Sequence, residues 1–212
     1  MREDFFLVSK GNPPISWQRY DKQKMTGTRD MYGYKERKAA QVAAYFVLKS
    51  NGKINVLKLA KLLYLAEREN MAQYDEPLFF DRLVSMDHGP VTSITLSLLN
   101  GYIENPSWTS LIADRDQHDI GVVQGIDFAS LDDLSGADIE LLNQLWSKFC
   151  DFGRFEIRDW THMHCPEWEN PFGSSEKIPH VRIFTHLGKE NPAELAAEVD
   201  RHRSLSSALS GE

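Results

Sequence analysis

The sequence predicts a mainly α fold of the α+β kind, a compact helical domain with a small β element. Three observations carry that expectation. Apolar residues recur at helical spacing over 34–49, 56–74 and 136–150. Residues suited to helix ends bound those segments. One short stretch, 78–87, is instead aromatic and loosely alternating, as a strand or extended crossing is. The 212 residues are 42% apolar and 26% charged. That is a globular composition, and the length is enough to bury a core without staples.

The elements follow in order. In 34–49, Val42, Ala43, Phe46 and Val47 fall on one helical face, and Ser50-Asn51-Gly52 suits a left-handed close. Asn55 is a good N-cap for the next helix. In that helix Leu57, Leu59, Ala60, Leu62, Leu63 and Tyr64 occupy most of the circumference, which implies a central, buried position. Pro77 follows where it does no damage. After the extended 78–87, Gly89-Pro90 marks a turn into a short helix over 91–99. Short extended pieces fill 105–133, with 120–123 the best strand candidate. Ser135 with Asp138 forms a capping box for a helix over 136–150, whose stripe is Ile139, Leu142, Leu145, Trp146 and Phe149. A further helix covers 155–162. A last one starts at Asn191-Pro192, where Pro suits the first position, and ends near 202. The tail 204–212 is small and polar and is expected to fray.

Organisation follows from these elements. Residues 1–33 read as an N-terminal extension, broken by Gly and Pro yet carrying Trp17, Tyr20, Met25, Met31 and Tyr32. A domain over 34–175 follows, then a C-terminal helix and tail over 176–212. The longest apolar run, 42–48, is far below the about 20 residues of a membrane span, and the N-terminus does not read as a signal peptide. Two cysteines, Cys150 and Cys165, fit a reducing compartment, so a cytoplasmic location is expected.

The net charge of −7 is unevenly spread. Residues 1–38 carry +4, and the remainder −11. Within it, 111–140 hold eight acids and one base. So acidic a body disfavours nucleic-acid binding through phosphates and suits a basic protein partner, or simply keeps the chain soluble.

Few residues suggest chemistry. His162, His164 and Cys165 are zinc-ligand types, but two histidines two apart face different sides of a helix, and no second ligand pair follows. A histidine bonding across a helix end, with Trp168 beside it, accounts for them as well. No nucleophile elbow or phosphate loop is present. Lys58, Lys61 and Arg68 share a helical face and raise a helix-turn-helix reading, but a solvated cationic stripe explains them better, because that helix has few side chains suited to reading bases. No catalytic site, metal or cofactor is expected.

One ordered set of motifs is more specific. Leu59-Ala60-Lys61-Leu62-Leu63-Tyr64 is followed by Pro77-Leu78, then His88-Gly89-Pro90-Val91, then Leu134-Ser135 before a helix, then Thr161-His162 and Trp168. The set resembles the Panacea domain, also called the SocA-like antitoxin domain, over about 36–170. Asp75 stands where that family commonly has glycine, and Met86 where it often has tryptophan. The resemblance implies an antitoxin without catalysis, which neutralises a neighbour-encoded protein toxin by direct binding. A proteolytic adaptor or phage-associated regulator is the alternative, ahead of a metal-dependent enzyme or a DNA-binding regulator. It also implies that Lys61, Tyr64, Pro77, His88, Gly89, Pro90, His162 and Trp168 are the motif or partner-binding residues. They would form either a binding groove or a polar core that defines the fold.

Overall fold

The structure, a computed structural model, describes residues 33–209. The aromatic residues of the N-terminal extension and the end of the tail lie outside that range. Helix α1 (Glu36–Lys49) buries a nearly continuous run from Ala39 to Val47. It closes on Asn51 and Gly52, both at positive φ, as expected. Strand β1 (Lys53–Asn55) is an element that periodicity did not reveal. Three residues are too few for a pattern. Asn55 ends it and caps α2 (Val56–Tyr74), accepting from the Leu57 amide at 3.1 Å.

Helix α2 is the axis of the domain. Its buried residues run round the helix and include Lys61, Tyr64, Glu67 and Asn70 besides the aliphatics. It packs against α1, a later helix pair and a strand described below. Asp75 ends it at φ +64, the left-handed conformation that a glycine would adopt more cheaply.

The extended segment expected over 78–87 is narrower and differently organised. Strand β2 covers Leu83–Met86 and pairs antiparallel with β3 (Gly89–Thr92), from Leu83↔Thr92 to Met86↔Gly89. The turn is therefore Asp87-His88, and Gly89 and Pro90 belong to the strand after it. Val91 and Thr92 are also strand, so α3 begins at Ser93 (Ser93–Leu99), not at 91. β-branched residues and a pairing partner decide that boundary.

Residues 78–82 form no strand. They are a connection held by two buried carboxylates. Glu67 accepts from the amides of Leu78, Phe79 and Asp81 at 2.5, 3.2 and 2.7 Å. Asp81 accepts from the amides of Arg82, Ile94 and Thr95 and from the Thr95 hydroxyl. It thus caps α3 from thirteen residues away in sequence.

Helix α4 (Pro106–Thr109) precedes β4 (Asp119–Gly121), which pairs with β1 through Ile54↔Ile120. The strand lies slightly before the expected 120–123. A 3₁₀ turn over Phe128–Ser130 leads to α5 (Gly136–Phe149). The Ser135–Asp138 capping box forms as expected. The buried stripe differs from the expected one: Leu141, Leu142, Leu145 and Phe149 are buried, but Ile139 is 39% exposed. Helix α6 (Arg154–His164) extends past the expected segment at both ends.

Strand β5 (Glu176–Lys177) adds to β2, completing a β3-β2-β5 sheet. It and α7 (His180–His186) have no strong sequence signature. Helix α8 (Pro192–Leu209) continues through much of the expected frayed tail. His202 anchors it by stacking on Phe80, ring centroids 4.2 Å apart. Mainly helical, with eight α-helices and two small antiparallel sheets among the described residues, the fold agrees with the predicted class. No helix among those residues is long and apolar enough to cross a membrane.

Candidate functional site

Most of the motif residues meet where α2, the β2–β3 turn and the end of α6 come together. Lys61 is fully buried, and its Nζ donates to the Pro90 carbonyl at 2.8 Å. Burial pushes its ammonium pKa down to about 7; the Cys165 side chain opposes this, and Arg158 adds to it. One turn further on, the Tyr64 hydroxyl donates to Glu167 Oε1 at 2.6 Å. Arg68 Nε donates to the same oxygen, also at 2.6 Å. Glu167 has no exposed side-chain surface and Arg68 only 15%. A buried carboxylate is tolerable there because a guanidinium and a phenol both satisfy it.

The turn supplies the opposite wall. Gly89 has φ +92, and a Cβ on it would lie 2.9 Å from His162 Cδ2 and Nε2 and 3.0 Å from Lys61 Nζ. Glycine is therefore required twice, by backbone conformation and by space. His162 stacks on Trp168 with centroids 4.2 Å apart and planes 13° apart. Trp168 Nε1 donates to the Met86 carbonyl at 2.9 Å, which pins the stack to the end of β2. His162 Nε2 is buried without a hydrogen-bond partner. Burial, then Lys61 and Arg158, hold the His162 imidazole below its ordinary pKa. The same three causes, in the same order, lower His88 at the turn.

The structure thus brings Lys61, Gly89, Pro90, His162 and Trp168 into one cluster, with Tyr64 beside it and His88 on its turn. It places Pro77 elsewhere, buried in the α2–β2 connection next to the segment that Glu67 holds. His164 points away: it stacks on Trp160 at 4.3 Å, and its Nδ1 meets the Trp160 carbonyl at 2.9 Å. Cys165 is fully buried, and burial pushes its thiol up to about 12. Among the described residues there is no group of three or more His, Cys, Asp or Glu that could hold a metal.

The cationic ridge is overturned as a solvated feature. Lys58 Nζ donates to the Cys150 carbonyl at 2.7 Å, Lys61 to Pro90, and Arg68 to Glu167. All three bind elements of the same domain, so they are packing contacts that carry charge. Periodicity cannot see this, because a lysine's aliphatic stem suits either environment.

Two structural anchors escaped the sequence reading. Glu67 sits in an apolar run of α2, three residues after Tyr64 on the inward face, and an acid there was the available signal. Asp81 follows two phenylalanines and gave none, since its partners are amides of a distant helix.

Comparison with known families gives one match. The model of the antitoxin SocA-like, Panacea domain family matches residues 59–169, from the second turn of α2 to just past Trp168. That is more than half of the 212 residues. The chain belongs to that family. No curated protein and no solved structure matches it.

Proposed function

We propose that this protein is an antitoxin that neutralises a neighbour-encoded protein toxin by direct, stoichiometric binding in the cytoplasm. The family match over 59–169 carries the reading. The geometry supports a binding scaffold, because Lys61, Tyr64 and Glu167 are turned inward and bonded to other elements. In this reading the motif cluster maintains the fold, and recognition belongs to the surface around it. Residues 1–33, and the segment 176–212 whose first residues complete the β3-β2-β5 sheet, adapt the domain to its own partner. The acidic body suits a basic toxin.

The test is expression of the adjacent open reading frame in a bacterial host, alone and together with this chain. Killing by the neighbour alone, relieved by co-expression and accompanied by a co-purifying complex, is the expected result. A harmless neighbour, or killing that persists with both proteins soluble, would overturn the reading.

A further inference from the structure

Arg37, Gln41, Tyr45 and Lys49 follow one another at four-residue spacing and so form one stripe along α1. Two adjoining concavities lie on that stripe. The first, about 340 Å³, is lined by Arg37, Gln41 and Ser130, with Pro106, Ser107 and Leu111 opposite. The second, about 260 Å³, is lined by Tyr45 and Lys49 together with Phe128, Leu131, Leu134 and Ile139. Ser130 lines the first and Phe128 and Leu131 the second, so the segment 128–131 borders both; together they are termed the groove, with a mixed half and an apolar half.

The apolar half is not buried by the domain itself. Phe128 is 51% exposed and Ile139 39%. Neighbouring exposed apolar side chains that line a concavity are a feature of binding surfaces. Both halves are held by contacts within the domain. Phe128 meets Tyr45 edge-on with centroids 5.6 Å apart, and the Tyr45 hydroxyl donates to Asn143 at 2.5 Å. Asp132 accepts from Arg37 and Gln41, and the Asp133 amide donates to Gln41. A wall held this way loses little entropy when a partner docks.

Charge says what would dock. Exposed carboxylates stand beside the apolar side chains along the chain: Asp127 before Phe128, Asp132 and Asp133 between Leu131 and Leu134, and Glu140 after Ile139. They belong to the segment 111–140, which has eight acids and one base. The charged residues that line the concavities are Arg37, paired with Asp132, and Lys49, over the Tyr45 ring; the exposed Asp127, Asp133 and Glu140 next to the lining residues in sequence leave the surrounding surface net acidic. The floor of the groove, α1, lies before the matched 59–169, while its wall lies within it.

We propose that this groove is the partner-capturing surface, and that the partner is a protein segment with a large apolar side chain flanked by Lys or Arg. The apolar side chain fills the Phe128–Ile139 concavity, and the cations meet the exposed carboxylates of the surrounding surface. The identity of that partner as a toxin rests on the antitoxin reading; the chemistry of the segment does not.

The experiment uses the full chain and two groove variants, Phe128→Ser with Ile139→Ser, and Asp133→Lys with Glu140→Lys. Phe155→Ser, an exposed aromatic on α6, is the control. Urea midpoints and circular dichroism establish that each is folded. Affinity is measured for the neighbour-encoded protein and for peptides selected on the wild type from a random display library. At least tenfold weaker binding by both groove variants, with Phe155→Ser unchanged, is expected. The charge-reversed variant should differ from wild type less as salt rises. Groove variants that bind within twofold of wild type would overturn the proposal.

If the wild type does not bind the neighbour-encoded protein, the antitoxin reading fails and the peptides alone decide the groove. Enriched peptides that pair Lys or Arg with a large apolar residue, and are lost on Phe128→Ser with Ile139→Ser, sustain it; peptides without cations overturn it. A photo-crosslinking amino acid at position 128 identifies the occupant. Crosslinks to the toxin or the selected peptide support the assignment, and crosslinks to residues 1–32 of the same chain or to a second copy refute it.

Discussion

Gly89 and His162 approach so closely that no side chain fits between them: a Cβ on the glycine would lie 2.9 Å from both Cδ2 and Nε2 of the imidazole. The same Cβ would be 3.0 Å from Lys61 Nζ, so one added carbon disturbs α2, β3 and α6 together. Gly89→Ala is expected to destabilise the domain by about 2–4 kcal/mol, from the positive φ and the contact combined. Urea unfolding measures this. A loss below about 0.5 kcal/mol would mean that the turn relaxes freely.

Lys61 and Glu67 impose opposite pH dependences. Burial lowers Lys61 from 10.5 to about 7, so the folded state binds fewer protons there than the unfolded chain. Its contribution is fullest above 10.5 and is lost as pH falls toward about 7. Burial raises Glu67 from 4.5 to about 8, although the amides of Asp81, Phe79 and Leu78 work against the shift. Its contribution is fullest below 4.5 and is lost as pH rises through about 8. Relative to wild type, Lys61→Met should therefore gain stability as pH falls from 9 to 7. Glu67→Gln should gain as pH rises from 5 to 8. Unfolding curves at pH 5, 7, 8 and 9 test both, and parallel pH profiles for variant and wild type would contradict the assignment.

Glu167 joins the segment after α6 to α2 through Arg68 and Tyr64. Removing one partner of a buried pair strands the other, at a typical cost of about 3–5 kcal/mol. Glu167→Ala should approach that cost. Arg68, which keeps 15% exposure, gives a milder Arg68→Ala. A double-mutant cycle should return a coupling above about 1 kcal/mol; additivity would mean that the pair does not hold the two elements together.

Trp168 has two separable roles. Trp168→Phe keeps an aromatic face for His162 but removes the donor to the Met86 carbonyl, a loss of about 1 kcal/mol. Trp168→Ala removes both, at about 3 kcal/mol or more. Equal losses for the two variants would assign the whole effect to the hydrogen bond.

The motif cluster and the groove should separate in function. Under the proposed antitoxin function, Gly89→Ala and Glu167→Ala are expected to reduce protection against the neighbour-encoded protein only as far as they reduce folded protein. Co-expression at a lower temperature should then restore it. Specific loss of protection by a motif variant of wild-type stability would place recognition in the cluster instead.

Caps and wide apolar faces were legible in the sequence because they are local. Asn55, Ser135 with Asp138, and the Asn51-Gly52 close each act within four residues, and each sits where it was expected. The burial of α2 was legible for the same reason, since its circumference is written in adjacent residues. Strands β2 and β4 fall within or beside the expected extended segments, but β1 and β5 were not legible, because they exist only through partners about 65 and 92 residues away. Ile139 was placed in the core by spacing alone, but the loop over 128–131 leaves it on a rim.

The motif residues divide along the same line. Their order along the chain was sufficient to indicate the family, since a linear pattern is what a family shares. What each does was decided by tertiary packing. Lys61 read as a surface cation from its neighbours in sequence, yet it is a buried donor because Pro90, twenty-nine residues on, offers its carbonyl in the interior. A lysine stem is compatible with water or with a core. Only the arrival of β3 and α6 over α2 removes the water and fixes its role.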